Sequence, residues 1–362
     1  MKVLVVAGSS GGHIFPALAL LDRLKSGHSG VKTLLAVPKK NIKKGTGAFG
    51  CGVSYINSVP LQAKLDSRNL LNAFKFVRGS WQSLIIILRF KPDVVVGFGS
   101  IFSIPIVILG WLMRVRVILH EQNVIPGQAN RFLFEFCDRM AVSFEASRKY
   151  IRDRRNKIVF TGNPLRSRLV RADKEKCREF FVLDQNKFTI LVMGGSQGSM
   201  RINRAFLKAL SGFPGRDKLQ IIHLSGFLDK AQLNREYSHL GVSVRIFHFL
   251  DEMEYALSLA DLAVCRAGAT SIHELAHYRL PAILLPYPYA YQHQSANARV
   301  LAEAGAAVAI DDCELDSDKL SVELKAILGS ADRLEKMRSG YDKLKIVDGA
   351  GELAALVMDR NR

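Results

Sequence analysis

One arrangement occurs twice, about half the chain apart, and it restricts the fold more than any other feature. An apolar run, Val3-Leu4-Val5-Val6-Ala7, enters the turn Gly8-Ser9-Ser10-Gly11-Gly12-His13 and then a helical stretch. Ile190-Leu191-Val192-Met193 enters Gly194-Gly195-Ser196-Gln197-Gly198-Ser199 in the same way. Strands that are apolar on both faces need helices on both sides, so such runs belong in parallel sheets. With these two included, short β-rich runs fall at residues 2–7, 32–37, 94–97, 115–120, 140–142, 158–161, 189–193, 220–223, 244–247, 262–265, 282–285 and 307–310, with helical segments between them. This alternation calls for βαβ units. The expectation is an α/β chain of two Rossmann-like domains with parallel sheets, facing across a cleft. A boundary is expected at Gly162-Asn163-Pro164, because proline keeps its predecessor out of the helical region. That gives domains at 1–162 and 163–341, followed by a helical segment, 342–362, able to pack on either.

The net charge of +18 is lopsided. Residues 1–162 hold 24 basic against 8 acidic side chains, and residues 163–362 hold 27 against 25. The first half therefore suits an anionic partner: nucleic acid, a membrane surface or a phosphorylated ligand. The five cysteines are scattered, odd in number and never in a CxxC pair, which argues against a disulfide framework and fits a reducing compartment. The run after Lys2 is too short for a signal-peptide core, and the apolar stretch 101–113 is shorter than the roughly 20 residues of a spanning helix.

The glycine turns carry the first chemical signal. Free amides at a helix start, together with the helix dipole, favour an anion, and glycines let the backbone approach it. The first helix is expected to begin near Phe15-Pro16, where proline is tolerated. Neither turn fits Walker A or a clean GxGxxG. His120-Glu121-Gln122-Asn123 follows an apolar run and is expected at a strand's carboxyl end, where α/β ligands bind; the bland reading is a capped loop. Cys265-Arg266-Ala267-Gly268-Ala269-Thr270-Ser271-Ile272-His273-Glu274 also leaves a strand through glycine into a helix. Thr270 or Ser271 is expected to cap it, with Glu274 in the first turn, either completing a capping box or accepting hydrogen bonds from sugar hydroxyls. His273-Glu274-Leu275-Ala276-His277 is a literal HExxH, so a zinc peptidase is an alternative. However, no third ligand follows at the metzincin spacing. The acidic stretch 311–318 is expected to be a surface loop, and residues 287–297, rich in aromatic and amide side chains, a polar loop.

Phe74, Phe76, Val77, Trp81, Leu84, Ile85 and Leu88 alternate with Lys75, Arg78, Arg89 and Lys91, and Trp111 is followed by Arg114 and Arg116. An apolar patch rimmed by cations is what an interfacial membrane contact requires. Nucleic acid is the weaker reading, since the basic runs 39–44 and 148–157 lack interleaved aromatics and no recognition motif is present.

Taken in order, GSSGGHIFPALAL, ILHEQNVIPGQAN, TGNPLR, ILVMGGSQGS, FLDEM, ADLAVCRAGATSIHELA, LPAILLPYP and HQSANA closely resemble the MurG family. Its members are the UDP-N-acetylglucosamine:N-acetylmuramyl-(pentapeptide)-pyrophosphoryl-undecaprenol N-acetylglucosaminyltransferases. The resemblance implies a GT-B fold, no essential metal or other cofactor, UDP-N-acetylglucosamine as donor, and a C-terminal helix returning to the N-terminal domain. It implies that Ser10, Gly11, Gly12 and His13 face the reaction centre and the acceptor diphosphate and that Asn123 contacts the donor sugar. Arg166 and Ser196 would bind around UDP, and Leu250 would lie by the uracil. Ala269, Thr270, Ser271, Ile272, His273 and Glu274 would hold the diphosphate and, through Glu274, the ribose. His293 and Gln294 would read the sugar hydroxyls. His13 is the candidate base, because its reference pKa of about 6.5 leaves it mostly neutral near pH 7, with Glu121 second. The acceptor would be the undecaprenyl-diphosphate-linked muramyl-pentapeptide, met at the cytoplasmic face of the plasma membrane through Ser9, Ser10, Trp81, Ile85, Leu88 and Trp111. A wall-building complex is a further partner class the resemblance leaves room for, and a related GT-B enzyme that glycosylates a different lipid acceptor from a UDP-sugar is the alternative function. Ser9-Ser10 replaces the family's usual Gly-Thr, and Ser100-Ile101-Phe102 replaces the usual Gly-Tyr after Gly99, both on the acceptor side.

Overall fold

In the computed structural model, residues 1–39, 51–56, 68–195, 198–226, 230–289, 292–315 and 317–359 are described, with backbone alone for 68–76 and 317. The chain divides into Met1–Ser167 with Val347–Arg362, and Arg168–Ile346. The division thus falls five residues after the expected Gly162 boundary.

Among the described residues the first unit contains seven parallel strands: β1 (Lys2–Val6), β2 (Lys32–Pro38), β3 (Gly52–Ile56), β4 (Val94–Gly97), β5 (Arg116–Glu121), β6 (Arg139–Val142) and β7 (Ile158–Phe160). Their order is β3-β2-β1-β4-β5-β6-β7. Alternation along β1 sends Val3 and Val5 into one core and Leu4 and Val6 into the other, which explains why its sequence is apolar throughout. Strand β3 has no counterpart among the expected strands. It lies at the sheet edge, opens with glycine, and buries only Ile56 fully, so its sequence carries little apolar signal.

The C-terminal helix, Gly349–Met358, belongs to the first unit, where Leu353, Ala354 and Val357 join the core beside Val3 and Val5. Arg116 anchors its far end. The guanidinium donates to the carbonyls of Leu356 (3.1 Å), Val357 (3.3 Å) and Asp359, a cation at the negative end of a helix. The chain crosses itself tightly here: a Cβ on Gly349 would meet the Asn163 carbonyl oxygen at 2.5 Å.

Among the described residues the second unit has six parallel strands: β8 (Phe188–Met193), β9 (Leu219–Leu224), β10 (Ser243–Phe247), β11 (Leu262–Cys265), β12 (Ala282–Leu284) and β13 (Ala307–Ala309). Their order, β10-β9-β8-β11-β12-β13, follows that of the first six strands of the first unit. In each sheet the strand order reverses beside the first strand, between β1 and β4 and between β8 and β11. Ligands of open α/β sheets bind outside the carboxyl ends of the strands at such a reversal. Both glycine turns leave from there. No helix among the described residues is long and apolar enough to cross a membrane.

Candidate active site

In the first unit the helix after β1 starts at Gly11, not near Phe15, and Pro16 lies inside it. Ser10 occupies the N-cap position, yet its hydroxyl makes no capping bond. It meets His13 Nδ1 at 2.7 Å instead. Three loops adjoin this pair in series. A Cβ on Gly8 would lie 2.9 Å from Ser100 Cβ and 3.2 Å from His13 Nδ1, so the turns after β1 and β4 leave no room for a side chain at Gly8. Gly99 and Ser100 both have positive φ, +79° and +76°, and for serine this is a strained conformation. Gly99 in turn abuts Asn130, which donates to Glu121 Oε2 at 2.8 Å.

Glu121 is buried, and both its oxygens are engaged. Oε1 accepts from the amide and side chain of Asn123, at 2.9 and 3.2 Å, and Oε2 also accepts from the Gly127 amide at 3.0 Å. Its carboxylate therefore organises the loop that presents Asn123. His120, fully buried, meets the Gly162 carbonyl oxygen at 3.2 Å. The Arg166 guanidinium stacks over the Phe15 ring, 5.1 Å from its centroid, beside the first helix.

The second turn is held by steric necessity at Gly194 and Gly198. A Cβ on Gly194 would lie 2.2 Å from the Ser199 amide, and one on Gly198 2.4 Å from the Ser225 carbonyl oxygen. Ser199 caps the following helix, Met200–Ser211, through Ile202 N. Ser196 lies outside the described residues.

The helix Ala269–Tyr278 corrects the expected capping. Gly268 is the N-cap, no side chain caps it, and the first turn holds no acidic residue. Thr270 and Ser271 are first-turn residues, and Glu274 follows in the second turn, largely buried. The uncapped start leaves amides available to an anion. Thr270 Oγ1 is buried there with no hydrogen-bond partner among the described residues. Burial pushes the Cys265 thiol up to about 12, so it is no nucleophile near neutrality. His273 Nδ1 lies 2.9 Å from the Ala269 carbonyl oxygen, and His277 packs against Tyr278. No group of three or more His, Cys, Asp or Glu among the described residues is placed to hold a metal.

Helix His293–Glu303 replaces the end of the expected polar loop. Gln294 Oε1 accepts from the amides of Ala267 (3.1 Å) and Tyr287 (3.0 Å), joining two strand exits. Leu250, after β10, is buried, while His293 is half-buried. The acidic stretch is not simply a surface loop. Asp312 is buried and paired with Arg266 at 2.8 Å and Arg201 at 2.6 Å, a contact between residues far apart in sequence that no local pattern reveals.

Away from these turns, the helix Arg68–Phe90 exposes Val77, Trp81 (64% accessible) and Leu88. Ile85 is half-buried and, with Tyr55 and Arg89, lines a shallow groove of about 470 Å³. Helix Ser103–Leu112 packs on the same helix and ends in exposed Trp111 and Leu112, with Trp111 edge-on to Phe136 at 5.1 Å. The side chains of Phe74, Lys75 and Phe76 lie outside the described residues.

Residues 3–142 match the glycosyltransferase family 28 N-terminal domain, and residues 189–353 match the family 28 C-terminal domain. A protein of Halothermothrix orenii is 37% identical over 353 residues, covering 95% of each chain. One of Desulforamulus reducens is 35% identical over 361 residues, covering 95% of this chain and 94% of the relative. Both are named UDP-N-acetylglucosamine–N-acetylmuramyl-(pentapeptide) pyrophosphoryl-undecaprenol N-acetylglucosamine transferase. Among solved structures, Acinetobacter baumannii MurG superposes with a TM-score of 0.77 at 23% identity, covering 98% of both chains. A UDP-GlcNAc 2-epimerase of Neisseria meningitidis gives 0.69 at 13% identity, covering 99% of this chain and 100% of that one. These two likenesses concern the fold.

Proposed function

This chain belongs to glycosyltransferase family 28 and, within it, to the MurG family, and from that premise we propose how its residues move the sugar. The protein transfers N-acetylglucosamine from UDP-N-acetylglucosamine to the lipid-linked muramyl-pentapeptide, lipid I, to give lipid II. The observation that carries the assignment of roles is the pair of glycine turns at the two strand-order reversals, one of them presenting His13 on Ser10.

In this reading the muramyl 4-hydroxyl attacks the anomeric carbon from the side opposite UDP. The new C–O bond forms as the bond to the diphosphate breaks, its electron pair leaves with UDP, and the hydroxyl proton passes to His13. With Nδ1 held by Ser10, the Nε2 nitrogen is the one assigned to the proton. Glu121 takes the loop-holding role rather than that of a base, since four hydrogen bonds already converge on it. Charge gathering on the diphosphate is met by the amides at the start of helix Ala269–Tyr278 and by Arg166. Ser10, Gly11, Gly12, Asn123, Ser196, Leu250, Glu274, His293 and Gln294 are assigned to the donor as the family pattern implies. Gln294 does so while clamping Ala267 and Tyr287, so its carbonyl oxygen serves the scaffold.

The basic first half and the exposed Trp81, Leu88 and Trp111 support peripheral docking to anionic lipid at the cytoplasmic face of the plasma membrane, with Ile85 and Ser9 on the acceptor side. Binding to phosphatidylglycerol vesicles is expected to weaken as salt rises from 50 to 500 mM, and on replacement by neutral lipid. Sedimentation unaffected by either change contradicts electrostatic docking. The transfer itself is tested by following labelled N-acetylglucosamine into a butanol-extractable product. Label is expected with lipid I, whereas label entering only a different lipid-linked sugar moves the enzyme to another acceptor.

A further inference from the structure

Resting on the second unit as the UDP-sugar half, we infer that Asp312 is a positioning residue for the nucleotide. One carboxylate ties together the two turns that this reading assigns to UDP. Arg266 lies in the turn after β11, just before the helix Ala269–Tyr278, and its guanidinium is largely buried. Nη1 donates to Asp312 Oδ1 at 2.8 Å and to the carbonyl oxygens of Leu285 (2.9 Å) and Pro286 (3.1 Å). Nη2 donates to Ser199 Oγ at 3.1 Å, at the end of the glycine turn after β8. Arg201, the second residue of the helix that Ser199 caps, donates from Nη1 to Asp312 Oδ2 at 2.6 Å and from Nη2 to the Asp312 carbonyl oxygen.

Asp312 sits in the short 3-10 turn Asp312–Glu314 beyond β13, with only 5% of its side chain exposed. The network therefore runs from β8 through β11 and β12 to the far edge of the sheet. A buried ion pair is a poor device for stability, because desolvation offsets most of its attraction. It is an effective device for fixing distance and direction, since the guanidinium fork accepts few geometries. Because Arg266 Nη1 and Nη2 both serve protein acceptors, its part here is to space the turns, while the backbone amides meet the phosphates. The Tyr287 ring, 5.4 Å from the Arg266 guanidinium carbon, closes the same group.

The test is isothermal titration of UDP into the full-length chain, paired with donor kinetics. Asp312→Asn keeps the side-chain volume but loses the negative charge and one of the two oxygens that accept from Arg266 and Arg201. The Kd for UDP and the donor KM are expected to rise about tenfold, with kcat at saturating donor within about twofold of wild type. Arg201→Gln cuts the network at a side chain that is 53% exposed, which spares the fold, and is expected to weaken UDP about threefold. An Asp312→Asn Kd within about twofold of wild type, or a loss confined to kcat, overturns the inference. If Asp312→Asn does not fold, Arg201→Gln decides, and an unchanged Kd overturns it. Wild-type protein that does not bind UDP refutes the assignment of the second unit, and this inference with it.

Discussion

His13→Ala is expected to lower kcat by about 10²- to 10⁴-fold, the range ascribed to a general base, while donor KM stays within about twofold. The expectation follows from geometry. His13 stands in the first turn of the helix after β1, beside the point where the strand order reverses, and Ser10 Oγ fixes Nδ1 at 2.7 Å. A side chain that acts only on the acceptor's proton contributes in the transition state and little to donor binding, so its loss appears in kcat. Steady-state kinetics with both substrates varied separate the possibilities. A mutant with normal kcat and raised donor KM would place His13 on the nucleotide and return the base to another group. Glu121 would be a poor replacement, because moving a proton onto it disturbs the four hydrogen bonds that hold the Asn123 loop.

Glu274→Ala is expected to show the opposite pattern, with donor KM raised about 10- to 100-fold, the equivalent of losing hydrogen bonds to a charged acceptor, and kcat changed little. Glu274 is a largely buried carboxylate in the second turn of helix Ala269–Tyr278, and Cys265 stands at the end of the strand before it. Its assigned ligands, the ribose hydroxyls, are equally distant from the bond being broken in ground and transition states. Their contribution is therefore uniform binding and belongs in KM. Comparing UDP with a 2′,3′-dideoxy analogue gives a second reading. The mutant should no longer distinguish the two, and continued discrimination would take the ribose away from Glu274.

The parts of this fold that depend on local pattern were visible in the sequence. Twelve of the described strands announce themselves as short apolar runs, most plainly where both faces are covered, as Val3, Leu4, Val5 and Val6 illustrate. Strand β3 escapes because an edge strand half open to solvent needs few apolar side chains. Helix starts are harder to read. Ser10 takes the N-cap position but its hydroxyl goes to His13, and Gly268 begins a helix with no side-chain cap although Thr270 and Ser271 stand two and three residues on. In both cases the usual cap chemistry is missing where ligand chemistry is assigned, as expected where function overrides local preference. The Asp312 network was invisible for another reason. Its partners lie 46 and 111 residues away, and an acidic stretch read locally looks solvated. The HExxH pattern carries the reverse lesson: its spacing is right for a helix face, yet no third ligand follows it in the sequence, and His273 Nδ1 lies 2.9 Å from the Ala269 carbonyl oxygen of its own helix.

In this reading the chain's own side chains and helix amides transfer N-acetylglucosamine from UDP-N-acetylglucosamine to lipid I. UDP release from UDP-N-acetylglucosamine, measured in EDTA with and without a lipid I analogue, tests it most directly. Release that depends on the analogue and persists in EDTA is the predicted result. A folded, UDP-binding protein that releases nothing when the analogue is present excludes lipid I as its acceptor, and the first places to look would be the altered Ser9-Ser10 turn and the strained Ser100.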